Sequence, residues 1–220
     1  MKSKRLITSI VTAGALASAA QAATISYRID TTVDLSGQGL SATEAVRVVY
    51  SFDDGLLDQS GLSSLGQYEP IKVELTAGGE TVSFFDGDGR TYNRLNLQVR
   101  NDFTDESGTR DGYSLYADPQ TPTPFLSDLS GGLGGDKNLL NSISFTMQSV
   151  SDLSATDSTA LSTDPIAFLQ SADFVSLRLS FGTGGGGVSN GPVTIASVPE
   201  PMSMSLLALA GSVLLRRRRR

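Results

Sequence analysis

The sequence predicts an all-β protein: an antiparallel β-sandwich of jelly-roll or Greek-key type, spanning residues 23–197. Three observations predict it. Apolar and polar residues alternate with period two along most of the body, as half-buried strands require. The alternating runs are short and separated by Gly, Asp and Asn, as in hairpin-rich sheets. No stretch sustains the 3.6-residue apolar period of a long helix, so two packed antiparallel sheets are the favoured architecture.

Nine strands follow in order. Ile25, Tyr27 and Ile29 alternate with Thr24, Ser26, Arg28 and Asp30. Val46, Val48, Tyr50 and Phe52 form the second apolar face, and Ile71, Val73 and Leu75 the third. Ala77-Gly78-Gly79-Glu80 then turns the chain into Thr81–Phe85, a hairpin signal. Leu95–Arg100, Gly112–Ala117, Ser142–Gln148, Phe174–Phe181 and a short Val193–Ala196 complete the set. The period predicts a core containing Ile25, Val46, Val48, Val73, Leu97, Phe145, Leu177 and Leu179, with Val175 and Phe181 on the same inward face as the last two. A helical turn is expected after Asp164, with Asp164 as N-cap, Pro165 first, and Ile166, Phe168 and Leu169 inward. Asp118–Lys137 holds three prolines and four glycines and reads as a long surface loop. Ser149–Ala172, apart from that turn, has no sustained period, and no 20–50-residue repeat is visible.

Composition excludes several chemistries. The chain has no Cys, no His and no Trp, which removes disulfides, thiol catalysis, His-dependent triads and His/Cys zinc sites. Eight of its 17 basic residues lie at the two ends, so the body from Ala23 to Val198 keeps 9 against 22 acidic residues, a net of −13. Such a surface repels phosphate backbones, and no nucleic-acid partner is expected.

The two ends read as addresses. Lys2-Ser3-Lys4-Arg5 is a basic n-region, Leu6–Ala19 an apolar and small-residue h-region, and Ala20-Gln21-Ala22 an A-x-A site. Residues 1–22 are therefore expected to be a signal peptide, cut by signal peptidase before Ala23. At the other end, residues 198–220 run Val198-Pro199-Glu200-Pro201, then apolar Met202–Leu215, then Arg216, Arg217, Arg218, Arg219 and Arg220. Fourteen apolar residues span about 21 Å as a helix, short against a ~30 Å bilayer core. Five arginines behind them resist translocation, so this short transmembrane segment should stop with its basic tail in the cytoplasm. A lipid-anchor signal would end apolar, not in arginines.

The ordered triplet of Pro199-Glu200-Pro201, apolar Met202–Leu215 and Arg216–Arg220 resembles the PEP-CTERM sorting signal of Gram-negative bacteria. The resemblance implies processing by an exosortase, a membrane-embedded Cys-dependent enzyme, after transient anchoring in the inner membrane. It also implies release or transfer to the cell surface, in an export system associated with exopolysaccharide and biofilm. The body is similar to a recurrent extracellular domain of such proteins, in the segments Tyr50–Asp53, Leu95–Asn101 and Asp111–Leu115. Physically, the two prolines hold the tripeptide extended and deny it backbone donors, which suits a protease handle.

Motifs for chemistry are sparse. Gly182–Gly187 satisfies G-x-G-x-x-G, but a strand follows where a dinucleotide site needs a helix, so it reads as a flexible hairpin loop. Asp86-Gly87-Asp88-Gly89 is the best Ca²⁺ candidate, through Asp86 and Asp88, although Leu97 stands where an EF-hand needs its bidentate Glu. Asp53, Asp54 and Asp58, and Asp102, Asp105 and Glu106, are further acidic loop clusters. Tyr113 and Tyr116 lie on opposite strand faces, so at most one is buried, while Tyr68 and Tyr92 sit in or beside loops as exposed rings that could stack on sugar. No catalytic residue and no resident cofactor emerge. The expectation is an exported, non-catalytic surface or extracellular-matrix protein that meets extracellular polysaccharide. The alternatives are a carboxylate-dependent glycosidase, whose two acids would face each other across a cleft, and a Ca²⁺-dependent carbohydrate-binding module.

Overall fold

The computed structural model describes residues 23–199, apart from residues 70, 107, 127–135, 155–157, 162–163 and 183–184. The expected signal peptide at 1–22, Glu200, Pro201, the apolar Met202–Leu215 and Arg216–Arg220 lie outside the described residues. Among the described residues no helix is long and apolar enough to cross a membrane.

Twelve strands appear among these residues: β1 Thr24–Val33, β2 Glu44–Asp53, β3 Leu65–Tyr68, β4 Lys72–Ala77, β5 Glu80–Phe84, β6 Tyr92–Asp105, β7 Gly108–Pro119, β8 Thr123–Pro124, β9 Leu139–Ser149, β10 Phe174–Phe181, β11 Gly185–Val188 and β12 Thr194–Ser197. They form two antiparallel sheets. Sheet A has the order β12-β1-β2-β4-β5, and sheet B the order β11-β10-β9-β7-β6-β3, with β8 paired to β9. All nine expected strands are present. A jelly roll alternates consecutive strands between its sheets, and here that expectation is corrected. β6, β7, β9, β10 and β11 are successive neighbours in sheet B: short hairpin connections join β6 to β7 and β10 to β11, and longer ones join β7 to β9 and β9 to β10. β12 returns beside β1, the position a Greek key gives its fourth strand.

One apolar core lies between the sheets. Of the expected core, Val46, Val48, Val73, Leu97, Phe145, Leu177 and Leu179 are buried, and Ile25 is half-buried against them. Alternation explains the layer: in sheet B, Leu97, Leu115, Phe145 and Leu177 fall in one cross-strand row and all point inward. Tyr50 of sheet A and Tyr113 of sheet B meet in mid-core, hydroxyl to hydroxyl at 2.9 Å. Tyr27 stacks on Tyr50 with ring centroids 5.6 Å apart. Burial pushes the Tyr50 and Tyr113 phenols well above their ordinary pKa, since neither ring can ionise away from water.

The expected helical turn is α1, Pro165–Ser171. Asp164 caps it, its carboxylate accepting from the Ile166 N–H at 2.9 Å, and Phe168 is buried beneath.

Two expected loops are corrected. Within Asp118–Lys137, Thr123–Pro124 pairs with Leu139 and Leu140, and Phe125 and Leu126 are buried. Leu126 adopts a left-handed φ of 62°, and its N–H donates to Glu80 Oε2 at 2.7 Å, pinning the segment to sheet A. Within the glycine run, Gly185–Val188 is a strand paired with β10. A Cβ on Gly187 would stand 2.4 Å from Val33 Cγ1 and 2.5 Å from the Asp34 carbonyl oxygen. These glycines therefore serve close approach.

Candidate functional site

A depression lies where the β5–β6 turn meets β3 and the end of β7. It is an open cleft of about 470 Å³, walled by Gln59, Glu69, Asp86, Asn93, Arg94 and Gln120, with Tyr92 and Leu95 in its lining. A second hollow of about 310 Å³ adjoins it, lined by Gly89, Thr121, Pro122, Thr123 and Pro124, and the two share Arg90 and Thr91.

The wall between the hollows is built by the Asp-Gly turn. Asp88 turns inward, its side chain 4% exposed, and takes the Arg90 guanidinium at 2.6 Å. It also accepts from the Arg90 N–H at 2.9 Å, the Phe85 N–H at 3.3 Å and the Tyr92 hydroxyl. Burial by itself would raise the Asp88 pKa. The hydrogen bonds from Tyr92 and Arg90 outweigh it and hold the carboxyl below its ordinary value. Tyr92 answers in the opposite sense: burial and its bond to Asp88 push the phenol up to about 12. The Arg90 guanidinium also donates to the Ser83 carbonyl oxygen at 3.1 Å and lies 5.5 Å from the Phe84 ring centroid.

The cleft floor is held by loops. Asp58 accepts from the Ser60 N–H at 2.8 Å and the Gln67 N–H at 2.9 Å, which fixes the chain before β3. Glu69 Oε1 accepts from Gln67 Nε2 at 3.0 Å and from Asn96 Nδ2 at 3.1 Å. Gln59 Nε2 donates to the Glu69 carbonyl oxygen at 3.1 Å. Arg94 spans the rim, 3.7 Å from Asp118 and 4.4 Å from the Tyr116 ring centroid, with half its side chain in solvent. Tyr116 stands on the outer face of β7, half-buried. Burial alone would raise its pKa, whereas Ser114, the Arg100 guanidinium and Thr146 around the phenol bring it below the ordinary value.

The residues singled out from sequence are redistributed. Asp86 is exposed on the cleft wall, while Asp88 is consumed by Arg90 and Tyr92, so the pair does not present a shared ligand set. Asp53 accepts from Thr24 Oγ1, Asp54 from the Ala23 N–H, and Asp105 pairs with Arg110. Among the described residues no three carboxylates gather closely enough to hold a metal ion. Tyr113 is buried and Tyr116 faces out, as alternation requires. Tyr68 corrects expectation: it is 4% exposed within β3, and its hydroxyl donates to the Thr159 carbonyl oxygen at 2.6 Å. Tyr92 does reach the cleft. Sequence reasoning missed Gln59, Glu69, Asn93, Arg94, Gln120 and Thr123, which come from separate loops and strand ends and share no spacing.

At the ends of the body, Pro199 and Ala23 are exposed. β1 begins at Thr24 and pairs antiparallel with β12, so Ala23 and Val198 leave sheet A at one end on neighbouring strands. The Val198 N–H donates to the Ser26 carbonyl oxygen at 2.8 Å, one residue before Pro199.

No known protein family, curated protein or solved structure matches this chain.

Proposed function

We propose that this chain is an exported precursor, cut by signal peptidase before Ala23 and by an exosortase near Pro199-Glu200-Pro201. Its β body then acts at the cell surface or in the extracellular matrix as a non-catalytic, polysaccharide-associated module. The observation that carries the reading is how the folded body meets its two addresses. Among the described residues, β1 starts one residue after the expected signal cut, and the Val198 N–H, bonded to Ser26, precedes the sorting tripeptide by one residue. Both exits share one end of sheet A, which suits a body folding outside while its tail is still in the membrane. The sorting tripeptide then stays next to the bilayer, where a membrane-embedded protease works.

The experiment is replacement of Pro199, Glu200 and Pro201 by alanines in a host carrying an exosortase. The expected outcome is an unprocessed, membrane-bound precursor, read by fractionation and intact mass. Processing and release like the parent would overturn the sorting assignment and leave a simple tail anchor.

One observation favours a second reading, a glycosidase: Glu69 and Asp86 are two carboxylates on one cleft. Glu69, already accepting two amide N–H groups, would serve as nucleophile or base, leaving Asp86 as the acid. Loss of polysaccharide hydrolysis in Glu69→Gln is the result this reading requires.

A further inference from the structure

We propose that the two hollows beside the β5–β6 turn are adjacent subsites for one linear, uncharged polysaccharide. This rests on the extracellular reading above and deepens it by naming the ligand class. Continuity is the first argument. The hollows share Arg90 and Thr91, so a chain longer than one sugar crosses from the 470 Å³ cleft into the 310 Å³ hollow without leaving the surface.

The second argument is the chemistry of the walls. Gln59, Asn93 and Gln120 are planar amides, Arg94 a fork of donors, and Asp86 and Glu69 paired acceptors. Groups that offer two polar atoms side by side match vicinal hydroxyls on a sugar ring. Tyr92, Leu95, Pro122 and Pro124 supply apolar surface for the ring's C–H faces.

Charge selects the class within carbohydrates. Arg90 is neutralised by Asp88, and Arg94 lies beside Asp118, so the lining offers no surplus positive charge. The body around it carries −13. A uronate or sulfate polymer would be repelled, whereas an uncharged one would not.

A spare hydrogen-bonding group provides the third argument. Thr123 lines the second hollow, is 3% exposed, and its Oγ1 has no partner among the described residues. A buried hydroxyl left unpaired is costly, and a hydroxyl-bearing ligand in this hollow relieves that cost.

The test uses the exported protein recovered from its host. Native affinity electrophoresis and calorimetry would be run against a soluble β-glucan, a galactomannan and polygalacturonate, each with and without a chelator. Retention by at least one neutral polymer and none by polygalacturonate is expected, unchanged by the chelator. Gln120→Ala and Thr123→Val should each weaken that binding roughly tenfold, about one hydrogen bond's share, with no loss in melting temperature. Three results overturn the proposal: no retention by either neutral polymer, equal or stronger retention by polygalacturonate, or full binding by both variants. Shortening of a bound polymer would instead overturn the non-catalytic reading and keep the subsites. Normal processing of the Pro199–Pro201 alanine variant would overturn the sorting reading and leave the subsites untouched.

Discussion

The two sheets treat their polar side chains differently. On the outer face of sheet A, groups close on one another. Asp30 takes Arg28 at 2.6 Å and Arg47 at 2.7 Å, Glu74 takes Lys72 at 2.9 Å and Ser83 at 3.2 Å, and Ser26 bonds Ser51 at 2.8 Å. On sheet B and its flanks, buried polar atoms remain without partners among the described residues: Asn96 Oδ1, Thr123 Oγ1, Asn138 Oδ1 and Asn141 Oδ1. The hollows open on the sheet B side. A face that satisfies itself has little left for a ligand. Hydrogen-bonding capacity left unspent costs stability, and of these four residues Thr123 is the one that lines a hollow. Under the proposed reading, sheet A is scaffold and the sheet B corner is the working surface.

The largest effect should be blind to that difference, because both sheets share one interior. Leu177 is fully buried opposite Phe145, and Leu177→Ala should cost about 2–5 kcal/mol in chemical denaturation. A variant as stable as its parent would mean that the sheets do not share this core. Next comes the tyrosine pair that joins them. Tyr50→Phe leaves the Tyr113 hydroxyl buried without its partner and should cost about 1–3 kcal/mol. Adding Tyr113→Phe should recover part of that loss, since no orphaned hydroxyl then remains. Both phenols are raised, so their share of stability is full below the ordinary tyrosine pKa near 10 and fades as pH climbs past it.

Asp88 sharpens the comparison on the working side. Its pKa is lowered, so its contribution is present above the ordinary carboxylate value near 4 and is lost as pH falls below it. Asp88→Asn should cost about 1.5–3 kcal/mol at neutral pH, the range for hydrogen bonds to a charged group, and should flatten the acid limb of the stability curve. Polysaccharide binding should fall as well, because Asp88 shapes the wall common to both hollows. An unchanged acid limb would show that the Arg90 and Tyr92 bonds do not survive in solution.

How much of this was legible in the sequence follows from which forces are local. Period two placed nine strands, because each strand buries one face whatever its partners are. The strands that were missed are those whose reasons lie elsewhere in the chain. β3 contains Gly66, where a Cβ would stand 2.2 Å from the Thr159 carbonyl oxygen, a contact across more than ninety residues. β11 is mostly glycine because Gly187 passes against Val33 and Asp34, Gly186 against the Leu179 carbonyl oxygen and Gly185 against Gln38. Phe125 and Leu126 looked like loop because their neighbours are prolines and glycines, yet they seal the core. Of the site, Asp86, Asp88 and Tyr92 were visible as a turn and a ring. Gln59, Glu69, Asn93, Arg94, Gln120 and Thr123 were not, since a cleft lining assembled from strand ends leaves no spacing to read.

The smallest effect concerns the end of sheet A, where β1 begins beside the exit of β12. The Ala23 nitrogen donates to Asp54 Oδ1 at 3.0 Å, and the Asp54 N–H donates back to the Ala23 carbonyl oxygen at 2.9 Å. If signal peptidase cuts before Ala23, that nitrogen becomes an α-ammonium facing a carboxylate, a pair the uncut precursor cannot have. The contact is exposed, so it should be worth no more than about 1 kcal/mol and should weaken with salt. Mature protein beginning at Ala23 should therefore be slightly more stable than the same protein with its α-amine acetylated. Asp54→Asn should erase that difference, and so should a pH high enough to deprotonate the amine. N-terminal sequencing separates the two ways of failing. A start elsewhere than Ala23 would defeat the cleavage assignment. A start at Ala23 with no response to acetylation or to Asp54→Asn would defeat only the pairing, leaving β1 held by β2 and β12 alone.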